Sequence, residues 1–159
     1  MLAMGALKYF ILKVDPSKNM TFNPKDSIDF NGNTGPFIQY THARIRSILR
    51  KAQEEKDINI DTLSLDSSLE LNQKELEVVR LLYAFPNIVE LSAQTFSPAL
   101  IANYVYDLAK SFNAFYQDTT ILKEENQDIL RMRVALSAFV GNTIKSSMEL
   151  LGIKVPERM

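Results

Sequence analysis

Apolar residues recur at three- and four-residue spacing through most of the chain, and strict alternation over the length of a strand is missing. The pattern predicts an all-α protein, a helical bundle of about five to six helices. A first helix is expected over residues 2–14, stopped by Asp15-Pro16 because proline disfavours helical backbone at the residue before it. The next twenty or so residues, "DPSKNMTFNPKDSIDFNGNTG", read as a long loop, and a loop of that length is usually functional or a connector. Thr34 is placed to cap a second helix over residues 36–55, with Pro36 in its first turn. Residues 57–71 are polar and read as a linker. Asn72 caps a third helix over residues 73–85, Pro86 opens a fourth, and Ser97-Pro98 caps and launches a fifth that runs to Gln117. After a turn at residues 118–120 the last helix covers residues 126–151. Gly152 ends it and "IKVPERM" follows as an extended tail.

The length, 159 residues, suits one cooperative unit, and a hydrophobic share of 46% is that of a folded domain rather than a disordered one. The absence of cysteine excludes a disulfide framework and thiolate metal sites, and agrees with a cytoplasmic location. No apolar run approaches the roughly 20 residues that cross a bilayer. The opening "MLAMGALKYFILKV" is apolar but is interrupted by Lys8 and Lys13 and lacks a small-residue cleavage site, so it reads as a buried helix. A chain that starts directly in such a helix is expected to be cut from a longer one. The formal net charge of −1 gives no overall bias toward nucleic acid. Any such role must rest on local charge.

One stretch concentrates it. "NTGPFIQYTHARIRSILRKAQ" holds Arg44, Arg46, Arg50, Lys51 and the single histidine, and contains no acidic residue. At 100° per residue Phe37, Ile38, Thr41, Ile45, Ile48, Leu49 and Ala52 form a core-facing stripe. Tyr40, Arg44, Ser47 and Lys51 form a column at one edge, while Arg46 and Arg50 project to the opposite, solvated side. A phenol and a guanidinium on adjacent turns make a shelf on which an unpaired base can stack and be hydrogen-bonded. The same spacing also fits a boundary tyrosine beside an ordinary wet helix surface. The missing carboxylates weigh toward the shelf, since exposed helices usually mix both signs at four-residue spacing.

No catalytic or metal centre is legible. A single histidine without cysteine cannot build a usual zinc site, and His42 reads as a polar helix residue. Asn31-Gly32-Asn33-Thr34-Gly35 lacks the spacing of a phosphate-binding loop and reads as a turn whose glycines permit positive φ. The carboxylates are dispersed, so no acid–base pair stands out.

The run "FNPKDSIDFNGNTGPFIQYTHARIRSILRKA", with "ALKYFILKVDPSKNM" before it and "LLGIKVPERM" at the end, closely resembles the C-terminal part of arginyl-tRNA synthetases. There the class I catalytic body passes into a helical anticodon-binding domain, the fold named for an Asp-Ala-Leu-Arg (DALR) motif. This chain has Gly5-Ala6-Leu7-Lys8 in that place and keeps the apolar pair. The resemblance implies that residues 1–34 are the junction with a catalytic body and residues 35–159 the anticodon-binding domain. It implies arginine tRNA as partner, together with the catalytic domain of the same polypeptide, in a monomer. The parent enzyme would ligate arginine to tRNA with ATP and magnesium. The two-histidine ATP signature and the Lys-Met-Ser-Lys-Ser-like loop of such enzymes are absent here, so this part alone is expected to bind no cofactor and catalyse nothing. In the family a cytosine at the middle of the anticodon is held by aromatic and apolar side chains from two helices and the C-terminal tail. By matching position this implies Tyr40, Arg44 and Phe37 on the first helix, Tyr116 as a second aromatic wall, and Met159 closing the pocket; Lys51 joins these candidates through its place in the column. Two other readings stay open from sequence: a helical protein-interaction module, and the equivalent domain of another class I enzyme such as the cysteinyl synthetase.

Overall fold

The structure, a computed structural model, describes residues 1–21, 23–62 and 69–159, with the backbone alone at residues 24, 26 and 61. Its helices are α1 (Leu2–Leu12), α2 (Pro24–Ser27), α3 (Gly35–Lys56), α4 (Gln73–Thr95), α5 (Ala99–Asp118) and α6 (Gln127–Leu150), with 3-10 turns at Ile60–Thr62 and Ile121–Lys123. No strand occurs among the described residues. Residues 63–68, the middle of the predicted linker, lie outside the described part.

Local chemistry accounts for most of the boundaries. The Thr34 hydroxyl accepts from the Phe37 amide at the start of α3. Asn72 and Glu75 form a reciprocal capping box on α4, and Asn126 accepts from the amides of Asp128 and Ile129 on α6. Gly152, at φ +66°, takes the left-handed conformation that ends α6.

Four expectations are corrected. Pro86 does not open a helix but lies inside α4, which runs unbroken from Gln73 to Thr95. A proline there removes one backbone bond, and packing on α5 keeps the two halves in line: Phe85 stacks on Tyr104 at 5.6 Å, and the Tyr104 hydroxyl donates to the Leu81 carbonyl at 2.9 Å. Ser97 does not cap α5; its hydroxyl donates to Asp15 at 3.0 Å, across to the loop after α1, and Pro98 takes the cap position. The long loop contains the single turn α2, capped by Asn23. Neither Gly32 nor Gly35 has positive φ.

α3, α5 and α6 build the core, with α4 laid on α5 and α1 on α3. Ile38 and Ile45 of α3, Leu108, Phe112 and Phe115 of α5, and Leu130, Ile144 and Met148 of α6 are completely buried in one cluster. Each large side chain so buried stabilises the fold by about 1.5–3 kcal/mol. One cation and two carboxylates pack beside them: Glu75, 2% exposed, accepts a 2.8 Å bond from Arg133, which also reaches Glu124 at 2.7 Å, joining α4, α6 and the turn before α6.

Gly35 is required by contact rather than by φ. A Cβ on it would come 2.6 Å from the Gly5 carbonyl oxygen of α1, and a Cβ on Gly5 would meet the Gln39 side-chain amide at 2.6 Å. Backbone thus touches backbone where α1 crosses the start of α3. Gly35→Ala is therefore expected to cost about 1–3 kcal/mol of overpacking, read as a lower urea midpoint. Gly32→Ala, whose Cβ would meet nothing closer than 3.5 Å, should change stability by less than about 0.5 kcal/mol.

Candidate nucleic-acid interface

The apolar stripe of α3 turns Ile38, Thr41, Ile45, Ile48 and Ala52 inward, and this leaves the column beginning with Tyr40 at the surface. The Tyr40 ring is 43% exposed. One turn on, the Arg44 guanidinium lies 4.8 Å from its centre. The same guanidinium lies 5.4 Å from the centre of Tyr116, carried by the last turn of α5 and stacked on buried Phe112. An arginine against two aromatic rings is held by cation–π attraction to each. Asn113, one turn before Tyr116, fixes its rotation: it accepts from Arg44 at 2.6 Å and donates to the Thr41 hydroxyl at 2.8 Å. No carboxylate pairs with Arg44 among the described residues. The remaining guanidinium N–H groups can therefore serve a ligand.

Two cavities open beside this stack. The larger, about 590 Å³, is lined by Tyr40, Arg44, Arg50, Tyr116, Arg158 and Met159 among others. The second, about 480 Å³, is lined by Phe30, Phe37, Tyr40, Arg44, Asn113 and Met159 among others. Tyr40, Arg44 and Met159 are common to both. Phe37 is partly buried against Tyr106, with ring centres 5.5 Å apart, and contributes an edge to the smaller cavity. Lys51 does not line either; it lies with Arg44 and Tyr116 along a neighbouring groove. Phe30, from the loop before α3, meets the Tyr40 ring edge-on at 6.4 Å.

The tail reaches this place because a second column of α3 holds it. Gln39 donates to the Lys154 carbonyl at 2.7 Å, the His42 ring nitrogen Nδ1 lies 2.9 Å from the Pro156 carbonyl, Arg46 pairs with the Glu157 carboxylate at 2.5 Å, and Arg50 donates to the Glu157 carbonyl at 3.1 Å. His42, read as a polar helix residue, is 1% exposed and lies under the tail. Two readings of the sequence are corrected by these contacts. Arg46 and Arg50 do not project into open solvent but grip the tail. The helix is not without an acidic partner, since Glu157 supplies one from more than a hundred residues away.

Phe30, Asn113, Gln117 and Arg158 line the site without having been singled out in the sequence. Asn113 had a faint signal, three residues before Tyr116 and so on the same helix face. Phe30 had none, because its loop must first fold back over α3. Among the described residues no three His, Asp or Glu side chains are placed to hold a metal ion, and no helix is long and apolar enough to cross a membrane.

An all-α bundle that presents an arginine against two aromatic rings, beside cavities large enough to admit a nucleobase, has the kind of surface on which an unpaired base can stack. Residues 38–159 match the family model described as the DALR anticodon binding domain, and the chain belongs to that family. It is 55% identical to the arginine–tRNA ligase of Parabacteroides distasonis and 57% to that of Phocaeicola vulgatus, each over 156 residues. Those matches take in 98% of this chain and 26% and 25% of the relatives, so the chain spans about a quarter of their length. Among solved structures, Thermus thermophilus arginyl-tRNA synthetase superposes on all of this chain and 27% of its own with a TM-score of 0.89 at 32% identity. Arginyl-tRNA synthetase from Plasmodium falciparum gives 0.85 at 30%, over 99% of this chain and 27% of that one.

Burial is the largest influence on His42 and pushes its pKa below the ordinary 6.5; Arg46 and Lys145 act the same way, while the Pro156 carbonyl and Glu157 oppose them. The folded chain then binds fewer protons than the unfolded one once the pH falls below about 6.5. Stability should fall as the solution is acidified through that range, down to the depressed folded value, and be level in this respect above it. Urea unfolding across pH 5–8 is expected to show this slope, and His42→Gln, which does not titrate, should flatten it.

Proposed function

We propose that this chain recognises the anticodon loop of arginine tRNA as the C-terminal module of an arginine–tRNA ligase. What carries the reading is the Arg44 guanidinium held against Tyr40 and Tyr116 at the mouth of two joined cavities. One face of each ring is already covered by the guanidinium, so an unstacked base enters against the open side of Tyr40 or the edge of this cluster. The spare guanidinium donors then meet its polar edge or its phosphate. Phe37 and Met159 supply apolar wall, and Arg50, Lys51 and Arg158 supply positive potential for the backbone. Stacking on an aromatic side chain is worth about 1–3 kcal/mol per base. Because the arginine is ordered before the RNA arrives, little of this is lost in fixing it.

The ligation of arginine with ATP and magnesium belongs in this reading to a catalytic body preceding the module in the same polypeptide, and residues 1–34 form the junction with it. The module works as a monomer in the cytoplasm. It contributes selection of the tRNA rather than chemistry, and its family membership and the arginine–tRNA ligases it resembles support that assignment.

Titration with the anticodon stem-loop of an arginine tRNA is expected to give micromolar or weaker binding that falls with salt. Replacing the middle cytosine should weaken it by about 1–3 kcal/mol, and Tyr40→Ala or Arg44→Ala by a similar amount. Equal affinity for both middle bases, with neither substitution felt, would sink the proposal in favour of a protein-binding module.

A further inference from the structure

The tail leaves α6 through a closed helix end. The amides of Gly152 and Ile153 return to the carbonyls of Glu149 and Met148 at 2.9 and 2.8 Å, and Gly152 sits at φ +66°, so the last carbonyls of the helix are satisfied from within. The Gly152 carbonyl is the first one past that closure. It accepts a 2.6 Å bond from the Lys8 ammonium of α1, 144 positions away in the chain. From there every second carbonyl of the tail meets a side chain of α3, Lys154 at Gln39 and Pro156 at His42. The residues between turn inward, Ile153 buried and Val155 half-buried against the core, which is the two-residue alternation of an extended segment. α1 also bears on the second hold, because Gly5 lies directly against the Gln39 side chain. The strap ends in Met159, which lines both cavities beside Tyr40.

We propose that Lys8 is a positioning residue of the Tyr40 site and acts through this strap: by holding the Gly152 carbonyl it sets the direction in which the tail leaves α6, and with it the place of Met159 beside Tyr40 and Arg44. What the site then binds rests on the reading of the chain as an RNA-loop binder; how the strap is held does not. Lys8 is exposed and lines neither cavity. A bond at such a position adds little to the stability of the fold, so its consequence lies in direction. Two observations aim that consequence at the site. The holds run in an unbroken series from α1 to the cavity, Lys8 on Gly152, Gln39 on Lys154, His42 on Pro156 and Arg46 on Glu157, with no slack stretch to absorb a change in the first. Arg158 and Met159 are also the part of the larger cavity's wall that α3 and α5 do not supply, so the strap alone sets where they stand.

The test has two arms on the complete 159-residue chain. The first needs no RNA: the methionine methyl groups are isotope-labelled for NMR, and the Met159 signal is assigned by its loss in Met159→Ala. In Lys8→Ala that signal is expected to move toward the position of a free methionine, while in Lys8→Arg, which keeps a donor, it stays near its wild-type place. Lys8→Leu, which keeps an apolar stem, is read in the same way if the alanine variant does not fold. The second arm is titration with the anticodon stem-loop of an arginine tRNA. Lys8→Ala is expected to bind it about two- to fivefold more weakly, the loss of one bond, with the salt slope unchanged because Lys8 meets a carbonyl and no phosphate. In a chain already carrying Met159→Ala that loss should vanish, since both changes act at one place. A Met159 signal unmoved in Lys8→Ala overturns the proposal. So does wild-type affinity in Lys8→Ala, a loss that adds in full to that of Met159→Ala, or a lowered salt slope. If wild type shows no preference for the middle cytosine, the reading of the chain as an RNA-loop binder fails, and the methyl signal still decides whether Lys8 places the tail.

Discussion

The His42 imidazole against the Pro156 carbonyl, together with the Gln39 bond to Lys154, decides where the end of the chain lies. Each of these bonds between a buried side chain and the tail backbone contributes about 0.5–1.5 kcal/mol, and together they hold the tail in one register. With Lys154 and Pro156 fixed, Glu157 falls between Arg46 and Arg50, and Arg158 and Met159 are delivered to the cavity beside Tyr40. The wall of that cavity is therefore assembled from α3 and the end of the chain, and α3 carries both the wall and its fastening on adjacent columns.

A slightly acidic chain can present a cationic face because its cations are sorted by partner. Arg133 is spent inside the bundle on Glu75 and Glu124, and Arg46 on Glu157. Arg44 has an amide, Asn113, in place of a carboxylate. A neutral acceptor orients the guanidinium while leaving its full charge to act outward, which a carboxylate in the same position would cancel. Glu54 is the carboxylate that lines the larger cavity, against Arg44, Arg50 and Arg158, so the lining is cationic on balance.

The helices were legible because a 3.6-residue apolar period and side-chain caps at Thr34 and Asn72 are local signals. Pro86 was misread because the local rule that proline opens a helix lost to the stacking of Phe85 on Tyr104, a contact between elements. The Tyr40–Arg44 shelf could be drawn from spacing alone, but its second wall needs the crossing of α3 and α5, and Tyr116 was reached only through resemblance. The burial of His42 was hidden for a similar reason. On a helical wheel its side looks polar and wet, and nothing within a few residues reveals that a tail 114 positions away lies over it.

The bare crossing of Gly5 and Gly35 has a mechanical side. Where side chains separate two helices they can shift among rotamers and absorb small displacements, but main chain pressed on main chain has no such slack. Tyr40 is five residues beyond Gly35, or about 7.5 Å along the same rod at 1.5 Å per residue. A tilt imposed on α1 is thus handed on with little damping to the tyrosine, so the opening helix is geared to the Tyr40–Arg44 surface rather than merely attached to it.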